Sequence, residues 1–318
     1  MESTTVNEDG LGIQEPEPQN HSDLFLGLAR ELIRARMADV PAPPSLFHYT
    51  SAAGLIGVLE KNTLWFSNSM FLNDGSESFW GINVFEHVLD EFLTLHDADA
   101  RETGDKLKRW VRDAFNFFQP IVFCMSEEDN LLNQWRDYGK DVTPYSIELA
   151  TDGLEQDGYN FPAYLCEVIY DMNDQREMAA RLVELIYNKY RETEAVAAFR
   201  EEDEEPLLIG AAKEIVWLLS RFKNTAFQAE KEWRLICHRP NLDGKVKTLF
   251  RAGSLGAVPY YEWFRPTLEG RGPLPIIHVT VGPSPYSAVS DIALKQLLHE
   301  TGYGDVPTHY SLIPIRRG

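Results

Sequence analysis

Three charged side chains, Glu230, Glu232 and Arg234, alternate through the run FQAEKEWRLI (Phe227–Ile236). Successive side chains of a strand point to opposite faces, so this spacing predicts all three on one face. Trp233, Leu235 and Cys237 fall on the other face and supply apolar contact. A strand divided in this way is either a solvent-facing edge or the floor of a polar cleft. In a cleft, paired carboxylates can stabilise developing positive charge or accept a proton. An arginine fork beside them can hold a phosphate bidentately or lock a carboxylate in place. The structural alternative is a salt-bridged face that does no chemistry, since exposed pairs of this kind are common and contribute little each.

A second group of candidates lies nearer the start of the chain. His48 sits near the end of the short run SLFHYT, and Thr50 or Ser51 can cap the helical sequence that follows. A side chain at the end of a strand that turns into a helix projects toward the cleft where ligands commonly bind. A satisfied core or capping histidine is the alternative. In FLNDGSE, Asn73, Asp74 and Gly75 form a turn, and Glu77 suits the dipole of the helix it opens. Trp135 and Tyr138 in LLNQWRDYG share a helix face and are expected in the core. There is no GxxxxGKS or GxxxxGKT loop, no HExxH and no GxSxG, and the lone GYG at Gly302–Gly304 follows no strand. No metal site is predicted.

The elements that must position these residues follow from periodicity and punctuation. Residues 1–21 lack periodicity, are rich in Glu, Pro and Asn, and are expected as a disordered acidic tail. Residues 22–44 form an N-terminal helix, with Leu24, Leu28, Leu32 and Ala35 at helical spacing, ended by a Pro-rich linker at Pro41–Pro44. Residues 45–318 are expected as a single α+β domain. Its strands are SLFHYT, TLWFSN, QPIVFCMS, YSIELA, AYLCEVIYD, EKEWRLICH, PIIHVTVGPS and YSLIPIR, with a further pair around Lys245–Pro259. Helical sequence fills about Ser76–Asn116, broken near Asp97–Ala100, then Asn173–Phe222, interrupted by REEDEEP, and Tyr286–Thr301. Strands separated by such segments, without regular alternation, predict a mixed central sheet with long helical insertions.

Composition narrows the function classes. The 318 residues are 44% hydrophobic and 12% aromatic, which supplies a sizeable core. A formal net charge of -19 argues against an extended nucleic-acid surface, which needs a basic stripe. Any ligand phosphate therefore needs a local cation; Arg136, Lys223 and Arg234 are the candidates, with Arg234 favoured. Cys124, Cys166 and Cys237 lie far apart in apolar runs, as buried free thiols of a reducing compartment do. With no apolar run of spanning length and an acidic N-terminus, a cytoplasmic protein without a membrane partner is expected.

In chain order, LFHYTS, GLIGVLEKNTLWFSNSMFLNDGSE, VFCMSEEDNLLNQWRDYG, FQAEKEWRLI and VTVGPS resemble an uncharacterised bacterial family defined only as a domain of unknown function. A His-x-Thr strand, a helix, a strand bearing Ser67 and a late Glu-x-Glu are more distantly similar to the ADP-ribosyltransferases. That resemblance implies an ADP-ribosyltransferase-like fold and NAD as the bound reagent. The activity implied is transfer of ADP-ribose to an unknown protein or nucleic-acid acceptor, or NAD hydrolysis. His48 and Thr50 would then bind a ribose of NAD, and Ser67 would line the nicotinamide pocket, with Trp65, Phe66 or Phe71 for stacking. Glu232 would engage the nicotinamide ribose, and Glu230, the outer glutamate, would prepare the acceptor. His48 and Glu232 are expected on neighbouring central strands, facing one cleft. On this reading Glu232→Gln abolishes turnover with the fold intact, and Arg234→Lys weakens NAD binding more than it lowers the melting temperature. The alternative function is a non-catalytic nucleotide- or protein-binding module that uses the same cleft.

Overall fold

The computed structural model describes residues 23–71, 77–118, 120–137, 142–195, 201–238, 246–253 and 256–313. The tail at residues 1–21, the turn at 73–75 and Tyr138 lie outside them. The first half of the chain runs α1 (Leu28–Asp39), β1 (Ser45–Thr50), α2 (Ala52–Lys61), β2 (Leu64–Asn68), α3 (Glu77–Leu93), α4 (Ala98–Phe117), β3 (Pro120–Ser126) and α5 (Leu132–Asp137). There follow β4 (Tyr145–Ala150), α6 (Thr151–Leu154), β5 (Tyr164–Glu167), α7 (Met172–Glu194), α8 (Glu204–Leu219) and β6 (Glu232–His238). The last part holds β7 (Leu249–Gly253), β8 (Gly256–Trp263), β9 (Pro266–Thr267), β10 (Gly270–Arg271), β11 (Ile276–Val281), α9 (Ser287–Glu300) and β12 (Thr308–Tyr310).

Local chemistry explains where the elements that frame the site begin. α1 starts after Gly27, which holds a left-handed φ of 93°. Its first amides are closed from outside, because the Glu214 carboxylate of α8 accepts from Gly27 N at 3.1 Å and Ala29 N at 2.9 Å. Phe25, Ala29 and Ile33 then carry this segment into the core of the helical layer. Ser51 caps α2: its Oγ accepts from Gly54 N at 3.1 Å.

Among the described residues, ten strands form one mixed sheet, antiparallel except where β12 runs parallel to β11. The protein is therefore α+β. The sheet forks at β3. One edge of β3 pairs with β6 along its length, from Pro120↔His238 to Ser126↔Glu232. The other edge is shared, with β2 at Ser67↔Val122 and Asn68↔Ile121 and β1 at Phe47↔Ser126. Beyond β2 lie β8 and β7; beyond β1 lie β4, β11 and β12. Between these branches, the stretch Phe123–Met125 has no strand beside it on that edge among the described residues.

The two faces of the sheet feed separate cores. Val122, Cys166 and Ile236 pack under α1, α3, α4, α7 and α8. Ile121, Phe123, Met125, Trp233 and Leu235 pack with α2 and α9 on the other face. α8 is apolar on nearly every side and is buried accordingly. None of the described helices is long and apolar enough to cross a membrane. The three cysteines are free, Cys166 and Cys237 buried and Cys124 half-buried.

Two elements differ from their sequence expectation. Among the described residues the last strand is Thr308–Tyr310 and residues 311–313 of the expected YSLIPIR are not in a strand, because β11 ends at Val281, paired with Tyr310, before Gly282 and Pro283; residues 314–316 of that run lie outside the described residues. The β6 strand begins only at Glu232. Thr225–Glu230 is a 3-10 turn, and Lys231 breaks from it in the left-handed region at φ 44°.

Candidate functional site

The fork in the sheet opens a cavity of about 370 Å³ against the unpaired edge of β3. Of the residues singled out from sequence, His48, Thr50, Ser67, Glu230 and Glu232 line it; Arg234 does not. These residues come from β1, β2, the 3-10 turn and the start of β6.

His48 fills the gap in the ladder. Its Nδ1 lies 2.8 Å from the Cys124 carbonyl. A carbonyl only accepts, so Nδ1 carries the proton and Nε2 is the ring's acceptor. The ring stacks on Phe123 with centroids 4.2 Å apart. Burial pushes its pKa down to about 4, and the Arg251 charge adds to this, against the opposing pull of the carbonyl bond. The imidazole is therefore neutral at physiological pH. His48 and Glu232 are not on neighbouring strands, because β3 lies between β1 and β6. Cross-strand partners share a face, so Glu232 and Arg234 lie with Ser126 and Cys124, while His48 rests on Phe123 on the opposite face. The cavity passes through the fork and touches both.

Glu230, Glu232 and Arg234 do not alternate along one strand, because the turn ends at Glu230 and the strand starts at Glu232. Lys223 reunites the carboxylates: its Nζ donates to Glu230 Oε2 and Glu232 Oε2, each at 2.8 Å. Arg234 donates from Nε to Glu232 Oε1 at 2.7 Å and from Nη2 to Oε2 at 2.9 Å. Its Nη1 donates to the Ser220 carbonyl at 2.7 Å. All four side chains belong to buried residues, Lys223 at 2%, Glu230 at 6%, Glu232 at 5% and Arg234 at 1% exposure. Burial alone would raise the Glu232 pKa, but Arg234 and then Lys223 outweigh it and hold the carboxyl well below the usual range. Glu232 is thus a buried, permanently ionised carboxylate. Tyr170 and Ser126 fix the backbone around it: Glu232 N donates to the Tyr170 hydroxyl at 3.1 Å, and Ser126 Oγ to the Glu230 carbonyl at 2.7 Å.

The cations favoured from sequence are committed elsewhere. Arg234 locks a carboxylate in place of reaching a phosphate, because its fork faces Glu232 and away from the cavity. Lys223 is held between two carboxylates, and Arg136 is exposed and outside the lining. Arg251 of β7 lines the cavity instead, its Nη2 donating to Ser67 Oγ at 3.0 Å. Nothing in the spacing around Arg251 marks it. Only the ladder through β8 brings it over Val258 toward Ser67, which pairs with Tyr260. Gln134 and Cys124 also line the cavity, and a hydrogen bond from the Cys124 thiol helps keep Glu232 ionised. Trp65 supplies an aromatic wall, stacked at a tilt on Tyr260 with centroids 4.8 Å apart. Phe66 is in the core against Phe161 and Trp263, and Trp135 is buried edge-on to Tyr49 at 4.6 Å.

Residues 134–235, about a third of the chain, match the family described as "Protein of unknown function (DUF2971)". The matched span runs from Gln134 into β6, ending at Leu235, and contains the Lys223–Glu230–Glu232–Arg234 cluster, whereas β1 and β2 lie outside it. No curated protein and no solved structure matches the chain.

Proposed function

We propose that the cavity binds NAD and that the chain is an ADP-ribosyltransferase-like enzyme. It would cleave the nicotinamide–ribose bond and pass ADP-ribose to an acceptor or to water. The observation that supports this reading most is the convergence of His48, Ser67, Glu230 and Glu232 on one cavity from three distant stretches of sequence. In this reading the C–N bond breaks with its electron pair leaving on nicotinamide, and positive charge develops on the ribose, as in glycoside cleavage. Glu232, ionised and shielded from bulk water, stabilises that charge. Its carboxylate accepts from Arg234, Lys223 and the Cys124 thiol, so a ribose hydroxyl would take the place of the thiol, the weakest of these donors. His48 Nε2 accepts from another sugar hydroxyl, and Trp65 offers a face for a ring. Glu230 takes the acceptor's proton as the new bond forms.

One observation favours a second reading, a nucleotide-binding module without turnover. Lys223 and Arg234 balance Glu230 and Glu232, so the cluster is close to neutral and its field at the cavity is muted. NAD labelled in the nicotinamide ring distinguishes the two. The transferase reading expects nicotinamide release in the presence of cell extract, lost in Glu230→Gln and Glu232→Gln when each is assayed well below its own melting midpoint. Absence of release from the wild type, with NAD still raising the melting temperature, supports the binding module. Absence of both rejects the nucleotide site.

A further inference from the structure

We propose that Arg251, with Ser67, forms a phosphate subsite at the β2–β7 wall of this cavity, so that a bound nucleotide lies with its diphosphate there and its reacting sugar toward His48 and Glu232. The proposal rests on the nucleotide reading for the sugar end, but the subsite stands on its own contacts. Arg251 belongs to an edge strand and is exposed, yet its side chain crosses β8 to reach Ser67 inside the fork. Among the described residues its partner is a hydroxyl, and no carboxylate pairs with it. Arg36, by contrast, meets Glu167 and Asp174, and Arg271 meets Glu262. In a chain with 49 acidic and 30 basic residues, an arginine held at a cavity without a carboxylate is available to an anion.

The geometry of the fork suits a phosphate. A guanidinium has five N–H donors, and the bond to Ser67 uses one, which leaves a planar fork for bidentate contact. Ser67 Oγ accepts from Arg251 and keeps its own hydroxyl proton to donate to the same anion. The opening turn of α2, with Ser51 and Gly54 in the lining, brings the positive end of a helix to the same cavity. Arg251 and His48 line the same cavity, so one ligand can place a phosphate at Arg251 and a sugar hydroxyl at His48 Nε2.

Titration calorimetry on the full chain tests this with inorganic pyrophosphate, ADP-ribose and adenosine. Pyrophosphate and ADP-ribose are expected to bind wild type and to lose about 10- to 100-fold in affinity in Arg251→Ala, as loss of a charged hydrogen-bonding pair implies. Adenosine affinity should stay within about twofold, since it carries no phosphate. Arg251→Lys, which keeps the charge without the fork, should fall between the two. Equal ADP-ribose binding by wild type and Arg251→Ala, or an equal loss for adenosine, overturns the subsite. Failure of both pyrophosphate and ADP-ribose to bind wild type also overturns it. Arg251-dependent pyrophosphate binding without any NAD binding keeps the subsite and rejects the transferase reading. NAD cleavage with an unchanged KM in Arg251→Ala keeps that reading and rejects the subsite.

Discussion

Arg234→Lys separates a structural lock from a ligand contact, because it keeps the charge and removes the fork. The native guanidinium makes bonds to Glu232 Oε1, Glu232 Oε2 and the Ser220 carbonyl at 2.7, 2.9 and 2.7 Å. A lysine ammonium at the same position can satisfy one of these, so two charge-assisted bonds go, each contributing ~1.5–3 kcal/mol. Allowing for partial relaxation, the expected loss is about 3–5 kcal/mol, the range seen when a buried pair is broken. Since ~1 kcal/mol moves the midpoint of a large domain by about 2–4 °C, melting should fall by roughly 6–20 °C. Glu232→Gln should lose a similar amount, because Arg234 and Lys223 are then buried beside an amide. That substitution should therefore lower the melting midpoint, a cost that the sequence alone gives no reason to expect. Both residues share the same bonds, so the double variant should lose less than the sum of the singles by ~1–3 kcal/mol. Calorimetric or denaturant melting of the four proteins measures the cycle. An Arg234→Lys protein that melts within ~1 °C of wild type, or losses that simply add, would refute the lock.

The half-buried, neutral His48 makes a second prediction. From pH 6.5 downward the unfolded chain protonates this side chain, while the folded one resists until about 4. Stability should thus fall as pH drops through that window, by up to ~3 kcal/mol. Glu232, whose folded pKa is depressed, loses its own contribution only below its unfolded value of 4.5, so above that pH the slope comes from His48 together with His278, whose pKa burial also lowers. His48→Gln should reduce the fall of the denaturation midpoint between pH 6.5 and 4.5, and an unchanged slope would reject the assignment. A third prediction concerns the aromatic wall. A Cβ on Gly57 of α2 would lie 2.2 Å and 2.5 Å from two ring carbons of Trp65. Gly57→Ala should cost about 1–3 kcal/mol through overpacking, despite the better helix propensity of alanine. It should also weaken ligand binding as the ring shifts into the cavity; a wild-type melting temperature would show that Trp65 does not press on this helix.

Much of the architecture was legible from local chemistry. SLFHYT, YSIELA and the helical runs on either side of REEDEEP carry their periods and caps within a few residues, and they appear as β1, β4, α7 and α8. The mixed sheet followed from strands interrupted by long helices. His48, Thr50, Glu230 and Glu232 could be singled out from their places beside predicted strands, whereas Ser67 was marked only by the likeness to the ADP-ribosyltransferases.

Local pattern could not decide which charges face a ligand. Glu230 and Arg234 look equivalent in EKEWR, yet a left-handed Lys231 moves Glu230 off the strand, and bonds to Glu232 and the Ser220 carbonyl keep Arg234 out of the cavity lining. Lys223 joins the two carboxylates only because the 3-10 turn folds back over it. Arg251, without a motif of its own, reaches Ser67 because β8 pairs with both β2 and β7. The sequence alone determined which groups could ionise and which segments would be strands or helices, since those depend on neighbours a few residues away. The fork at β3, and with it the choice between a charge spent inside the protein and one turned to the cavity, was decided by pairing between distant strands, where burial and geometry set the cost of leaving a charge unpartnered.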